Sequence, residues 1–179
     1  MTPSHHDSIV HIRRVCAADG PALARIYAPF VTDNAVSFEY DAPDAETMSH
    51  RALTTDAEYA WLIAEDSAGR CLGYAYAGAF RSRPAYDWTV ETSAYLATDA
   101  RGRGVGERLY RHLFATLAQT GYQMAIAAIT LPNSPSLKFH ERFGFTRIGV
   151  LEAVGYKFEQ FHDVAYYQRP IGAEDSHLV

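Results

Sequence analysis

Three glycines at alternate positions, Gly102, Gly104 and Gly106, sit among Arg101, Arg103, Arg108 and Arg111, with Glu107 the single acid between positions 101 and 111. Glycine lets a backbone approach a ligand closely and adopt left-handed dihedrals. A helix that starts just after such a turn offers unpaired amides and a positive dipole end to an anion. The chemistry of the stretch is therefore phosphate holding. A dinucleotide fingerprint, G-x-G-x-x-G, needs its third glycine one residue later, where Glu107 stands. A Walker loop needs Gly-Lys-Ser/Thr at its end, and "GVGERL" has none. A plain flexible turn accounts for one glycine but not three in alternation. The order strand, R-G-x-G-x-G, helix suits the diphosphate of coenzyme A, with Arg101 and Arg103 adding charge-assisted hydrogen bonds.

Other residue types that can do chemistry lie on either side. Glu91 falls in "WTVETSAYLAT" (88–98), where alternation puts Thr89, Glu91, Ser93 and Tyr95 on one strand face and Trp88, Val90, Thr92, Ala94 and Leu96 on the other. A solvated strand glutamate paired with an arginine is the plain alternative for Glu91. His140 shares a helical face with Leu137 and Phe143, so a packed, hydrogen-bonded core histidine competes with a functional one. Arg81 and Arg83, with Tyr86 close behind, form either a clamp for a ligand bearing a carboxylate and a second polar group or ordinary solvated loop charges. The remaining histidines show no H-E-x-x-H or Cys/His spacing, so no metal site is expected. Cys16 and Cys71 lack a nucleophile context and read as packing residues.

The elements that must position these residues follow from periodicity. Strands are expected at 9–15, 59–66, 71–80, 88–98, 123–130, 145–152 and 161–169. Helices are expected at 19–30 and 44–55, after the glycines, and through "NSPSLKFHERFGF", where Ser134–Pro135 starts a helix and Gly144 ends it. Val105, Leu109, Leu113 and Leu117 form the apolar stripe of the post-glycine helix, widened by Tyr110 and Phe114. Residues 31–43 form a loop carrying Phe38 and Tyr40. The sum is one α+β domain over 9–171 with a mostly antiparallel, mixed sheet of about six to seven strands and about four helices. Residues 1–8 and 172–179 are expected as flexible ends.

Composition agrees with an ordinary globular chain of 179 residues. The net charge of −5 argues against general nucleic-acid binding. No apolar run reaches the roughly 18 to 20 residues of a membrane span. No secretory signal opens the sequence, and two cysteines make no disulfide framework, so a cytoplasmic setting is expected.

With these residues in order, the chain resembles the GNAT N-acetyltransferase superfamily, whose acetyl-CoA signature is Q/R-x-x-G-x-G/A. Here it runs Arg101-Gly102-Arg103-Gly104-Val105-Gly106. "AYDWTVETSAYL" (85–96), "LPNSPSLKFHERFGF" (131–145) and "GYKFEQFHDVAYYQRPI" (155–171) further resemble the branch that acetylates phosphinothricin and methionine sulfoximine or sulfone. The likeness spans about residues 9–171.

That resemblance implies a GNAT fold and acetyl-CoA as co-substrate, with transfer to the amino group of a small amino-acid-like acceptor in a ternary complex. It implies that backbone amides near Ala94, Tyr95 and Leu96 reach the thioester oxygen, that residues 101–107 hold the diphosphate, and that Asn133 bonds the pantetheine arm, a helix-capping asparagine being the alternative. Glu91 corresponds to the family's catalytic glutamate. His140 stands where many members carry a tyrosine acid. On the acceptor side the implied residues are Phe38, Arg81, Arg83, Tyr86, Thr92 and Ser93. The family has lysine where this chain has Arg81, which keeps the charge and changes the geometry. Members are typically homodimers, and the aromatic segment "YKFEQFHDVAYYQ" is either interface or core strand. Two rivals share the signature: a GNAT enzyme for another small amine or a protein N-terminus, and a CoA-binding module without chemistry.

Overall fold

The computed structural model describes residues 10–177. Its elements, in chain order, are β1 (His11–Arg14), α1 (Gly20–Thr32), α2 (Ala45–Glu58), β2 (Ala60–Glu65), β3 (Cys71–Ala79), β4 (Thr89–Leu96), α3 (Val105–Thr120), β5 (Met124–Thr130), α4 (Ser134–Arg142), β6 (Thr146–Lys157) and β7 (Gln160–Pro170), with short 3-10 turns between some of them. The strands make one seven-stranded sheet in the order β1-β2-β3-β4-β5-β7-β6. Every pairing is antiparallel except β4 with β5.

Helices cover one face of the sheet from β2 across to β7, and the other face over β2–β4. On one, α3 buries Val105, Leu109, Tyr110, Leu113, Phe114 and Leu117 against Leu62, Leu72, Val90, Ala125 and Ile129. On the other, α1 and α2 pack Leu23, Ile26, Tyr27 and Met48 against Trp61, Ile63 and Tyr74. The four-residue stripe expected in α3 is this buried face. Trp88, expected on the strand face of Val90, instead precedes β4 and is 63% exposed. Cys71 is buried as expected, but Cys16 is exposed, because the chain has already left β1 there and is entering a 3-10 turn.

Two further differences lie toward the C-terminus. β6 runs on to Lys157 rather than stopping near 152, because the ladder with β7 shifts register between Leu151 and Gly155, where Ala153 takes φ 52°. A bulge of this kind hides the two-residue period. Residues 173–177, expected within a tail, form a 3-10 turn whose Asp175 is fully buried. Arg169 donates to the Asp175 carboxylate at 2.6 Å, and the Gly172 amide donates to it at 3.0 Å. The expected N-terminal segment 1–8 lies outside the described residues.

The feature that matters most for a ligand is where β4 and β5 part. They pair only from Thr89↔Met124 to Glu91↔Ile126, whereas β5 stays paired with β7 through Thr130. From Thr92 onward β4 has β3 on one side and a gap on the other. This unpaired side of β4 runs from Thr92 to Leu96, toward the chain segment that leads into α3.

Candidate functional site

The glycine segment lies between the unpaired end of β4 and the start of α3. Gly102 and Gly104 take φ of 72° and 76°. For residues with a Cβ that region costs roughly 1–2 kcal/mol. Gly106 is different: it is helical, and a Cβ there would lie 3.4 Å from Leu96 and 3.5 Å from Phe139, ordinary contact distances. The end of the R-x-x-G-x-G/A pattern is explained by that space. Gly104 is the N-cap of α3 and provides no side-chain cap, in contrast to α2, capped by Asp44, and α4, capped by Asn133. The first amides of α3 thus have no side-chain cap among the described residues.

The arginines around this helix start have different surroundings. Arg101 lies over the Phe30 ring at 5.0 Å and reaches toward the Leu96 carbonyl. Arg103 donates to the Asp99 carbonyl at 3.4 Å. Glu107 is paired with Arg111 at 2.8 Å one turn on, so what it can offer an anion is its amide.

Inside the gap, backbone direction decides which groups are available. The Ala97 amide donates to the Leu72 carbonyl at 2.9 Å. Counting back through the Gly73↔Leu96 register, Tyr95 and Ser93 turn their amides and carbonyls toward β3. Ala94 and Leu96 turn theirs into the gap. Of the three residues expected to present amides there, Tyr95 is therefore corrected. Its ring instead packs edge-on to Tyr27 and Phe30 at 4.9 and 5.0 Å.

Side-chain alternation along β4 splits the expected set again. Glu91, Ser93 and Tyr95 face α1 and α2. Thr92 is buried on the α3 face, where its hydroxyl lies against that of Tyr110 and donates to the Ile126 carbonyl at 3.4 Å. Thr92 and Ser93 thus do not share a site, and Thr92 is removed from the acceptor side. Glu91 is half-buried, and burial alone pushes its carboxyl above the usual carboxylate range. No hydrogen bond to it occurs among the described residues, so the expected alternative of an arginine partner is not met. The Tyr76 phenol stands near enough to feel its charge.

His140 lies on the other face, with α3. It is 7% exposed, its Nδ1 faces the Ser136 carbonyl at 2.8 Å, and its Nε2 faces the Tyr110 hydroxyl at 3.1 Å. A carbonyl only accepts, so Nδ1 carries the proton and Nε2 accepts from Tyr110. Phe139, Phe145 and Tyr110 present edges to the ring at 5.2, 5.0 and 5.6 Å. Burial lowers its pKa below the ordinary histidine value, keeping it neutral. His140 is thereby separated from Glu91 by the sheet, and both ring nitrogens are engaged. Asn133 caps α4, its Oδ1 accepting from the Ser136 amide at 3.3 Å, with its Nδ2 still able to donate.

Arg81, Ser82, Arg83 and Tyr86 line one cavity of about 330 Å³ on the β3–β4 connection, at the Glu91 end of β4. The Arg81 guanidinium lies 5.2 Å from the Phe80 ring centroid and 5.6 Å from that of Tyr86. Phe38 does not join that cavity. It is 37% exposed and lies over Gly155 of β6, beside His162 of β7. A second cavity of about 350 Å³ lies behind the loop, between α2 and β2–β3, with Glu39, Arg51, Trp61 and Tyr76 in its wall. Sequence reading missed Lys157, whose ammonium is buried among backbone carbonyls of that loop. "YKF" carries no spacing that announces it.

A gap in the sheet, an uncapped helix start at its mouth and a half-buried carboxylate at its apex suit acyl transfer from a long thioester. A model of the acetyltransferase (GNAT) domain matches residues 12–165. The chain belongs to the GNAT acetyltransferase family. This acetyltransferase is 41% identical over 169 residues to a phosphinothricin N-acetyltransferase of Alcaligenes faecalis, covering 93% of this chain and 85% of the relative. It is 33% identical over 161 residues to an L-methionine sulfoximine/L-methionine sulfone acetyltransferase of Pseudomonas paraeruginosa, covering 88% and 92%. A crystal structure of a phosphinothricin acetyltransferase from Sinorhizobium meliloti in complex with AcCoA superposes with a TM-score of 0.87 at 35% identity, covering 91% of this chain and 89% of that one. Among the described residues of the acetyltransferase no helix is long and apolar enough to cross a membrane.

Proposed function

We propose that the protein transfers the acetyl group of acetyl-CoA to the α-amino group of phosphinothricin, methionine sulfoximine, methionine sulfone or a close amino-acid analogue, directly and within a ternary complex. The observation that carries this reading is Glu91, a half-buried carboxylate with no hydrogen-bond partner among the described residues, at the apex of the gap. The relatives' named substrates supply the acceptor class. Retention of Glu91 at that place disfavours a binding module without chemistry.

The residues at the mouth of the gap fit a diphosphate: two glycines in the left-handed region, an uncapped helix start, and Arg101 and Arg103 beside it. Acetyl-CoA, when bound, supplies an acyl thioester. The Ala94 and Leu96 amides are donors fixed in direction before any ligand arrives, which is the arrangement that stabilises charge developing on an acyl oxygen. Asn133 has a donor left for an amide-bearing arm. An acceptor ammonium must lose a proton before its nitrogen can attack, and Glu91 is the group that takes it, directly or through water. Its raised pKa brings it nearer to the proton it must accept. His140 is assigned a packing role.

Arg81 and Arg83 hold the acceptor's carboxylate and its second polar group, Tyr86 and Ser93 flank it, and Phe38 walls the far side. Two copies associate through β6, where Ile148, Leu151 and Val154 are exposed along the outer strand and Tyr156, Phe158 and Phe161 cluster at its tip. The proposed setting is the cytoplasm. Sedimentation of the purified protein tests the dimer, since a monomer at micromolar concentration contradicts it.

Thiol release from acetyl-CoA with phosphinothricin, methionine sulfoximine, methionine sulfone, ordinary amino acids and a short peptide tests the reaction. Turnover is expected with the first three. Turnover with the peptide alone transfers the enzyme to protein N-terminal acetylation, and no turnover alongside CoA binding returns the binding module. Arg83→Ala is expected to raise the acceptor KM about tenfold, equal to the loss of roughly 1.4 kcal/mol of binding, and to leave the KM for acetyl-CoA within about twofold.

A further inference from the structure

The loop that carries Phe38 is held from outside by three consecutive residues of β6. Gly155 comes first. A Cβ built on it would collide with the Cζ end of the Phe38 ring, so that end of the ring sits against bare backbone. Tyr156 follows, its carbonyl accepting from the Tyr40 hydroxyl at 2.9 Å. Lys157 completes the set. Its Nζ donates to the Val31 carbonyl at 2.6 Å, the Ser37 carbonyl at 2.7 Å and the Asn34 carbonyl at 3.4 Å. These contacts join positions more than a hundred residues apart in sequence, and all end between 31 and 40.

Lys157 is only 2% exposed, and three carbonyls match the three N–H donors of an ammonium. Val31 lies in the last turn of α1, where carbonyls are unpaired and the dipole end is negative, so a cation there is favoured. The other edge of the loop is fixed separately. The Tyr27 hydroxyl meets Ser37 Oγ at 2.7 Å and donates to Glu39 at 3.0 Å, and Arg51 grips Glu39 through both oxygens at 2.7 and 3.0 Å. Ser37 and Glu39 turn toward the helices, and Phe38 between them turns toward β6. Among the described residues no other hydrogen bond joins positions 31–40 to β6.

We propose that Gly155, Tyr156 and Lys157 form a latch that sets the position of Phe38, and so make β6 a determinant of acceptor binding in the reaction. Lys157 is its main member and acts as a positioning residue, since it meets the loop's backbone. The idea rests on the proposed acceptor site only for its functional consequence.

Lys157→Met keeps the aliphatic stem and removes all three hydrogen bonds. It is expected to raise the acceptor KM about tenfold, to leave the KM for acetyl-CoA within about twofold, and to change the ratio of kcat/KM between phosphinothricin and methionine sulfone. Amide hydrogen exchange in peptides covering 33–40 should quicken, while the amides of α3 stay as in the wild type. Gly155→Ala, which must push the Phe38 ring aside, should shift the same quantities in the same direction, and it decides the matter if Lys157→Met does not fold. Folded variants with unchanged acceptor KM, selectivity and exchange overturn the latch. A fall in Tm with an unchanged acceptor KM also overturns it, leaving Lys157 a structural tie only. If the wild-type protein turns over none of the acceptors, the acceptor reading fails by itself, and unchanged exchange at 33–40 then removes the latch as well.

Discussion

Glu91→Gln is expected to lower kcat/KM by about 10² to 10⁴, the span associated with a lost general base, while Tm holds or rises. The two halves of that result have one cause. Burial raises the pKa of Glu91 and provides no partner for its charge. As pH rises, the unfolded chain ionises this carboxyl first, so the native protein holds the extra proton between the unfolded and folded pKa values. Over that window the group's contribution to stability falls, and above it the loss is complete. Glutamine removes the loss, so the variant should gain on the wild type as pH rises through the window and match it below. Activity runs the other way, because the base works only when ionised. The acid limb of kcat/KM should sit above the ordinary glutamate range in the wild type and vanish in Glu91→Gln. His140→Gln should keep that limb, since His140 is neutral and turned away from Glu91. A Glu91→Gln enzyme with near-normal turnover would remove Glu91 from the reaction.

Gly104→Val should raise the KM for acetyl-CoA by about tenfold or more, and Gly106→Ala should leave it within about twofold. Gly104 takes φ 76° at the N-cap of α3, and a β-branched residue tolerates that region worst. Valine must rotate the cap or hold strain, and in either case the first amides of α3 lose their common aim. Gly106 is already helical, with room for a methyl group between Leu96 and Phe139. Isothermal titration with CoA separates this binding effect from turnover. Equal tolerance at both positions would mean that the cap geometry does not govern the diphosphate.

Much of this fold is legible in local pattern. The four-residue stripe of α3, the alternation of β4 and the continuous apolar run of β5 each describe a residue's immediate neighbours, and those neighbours are where the pattern puts them. Even the facing of Glu91 follows from alternation, which also argues against grouping Thr92 with Ser93. Position in the reaction is harder. His140 has the same residue type whether it meets a thiolate or a Tyr110 hydroxyl, and only the packing of α4 on α3 distinguishes them. Lys157 depends on carbonyls 120 and 126 residues away. A backbone acceptor has no residue identity, so no motif can report it. The bulge at Ala153 adds to the difficulty by breaking the strand pattern just before the residues that hold the loop.

The parting of β4 and β5 leaves backbone edges inside the sheet. Sheets are vulnerable at their edges, where unpaired amides and carbonyls invite another chain to add a strand. Here two such edges lie in the middle of the sheet, because β4 beyond Glu91 and the facing part of β5 do not meet. On one face α3 and α4 cover them; on the other, α1 packs against Tyr95 of β4, while Ala128 of β5 is exposed. The unpaired groups there, among them the Ala94 and Leu96 amides, complement an extended molecule that itself bears amides. Under the proposed function, the arm of acetyl-CoA would take the place of the missing strand, and its binding would complete the sheet.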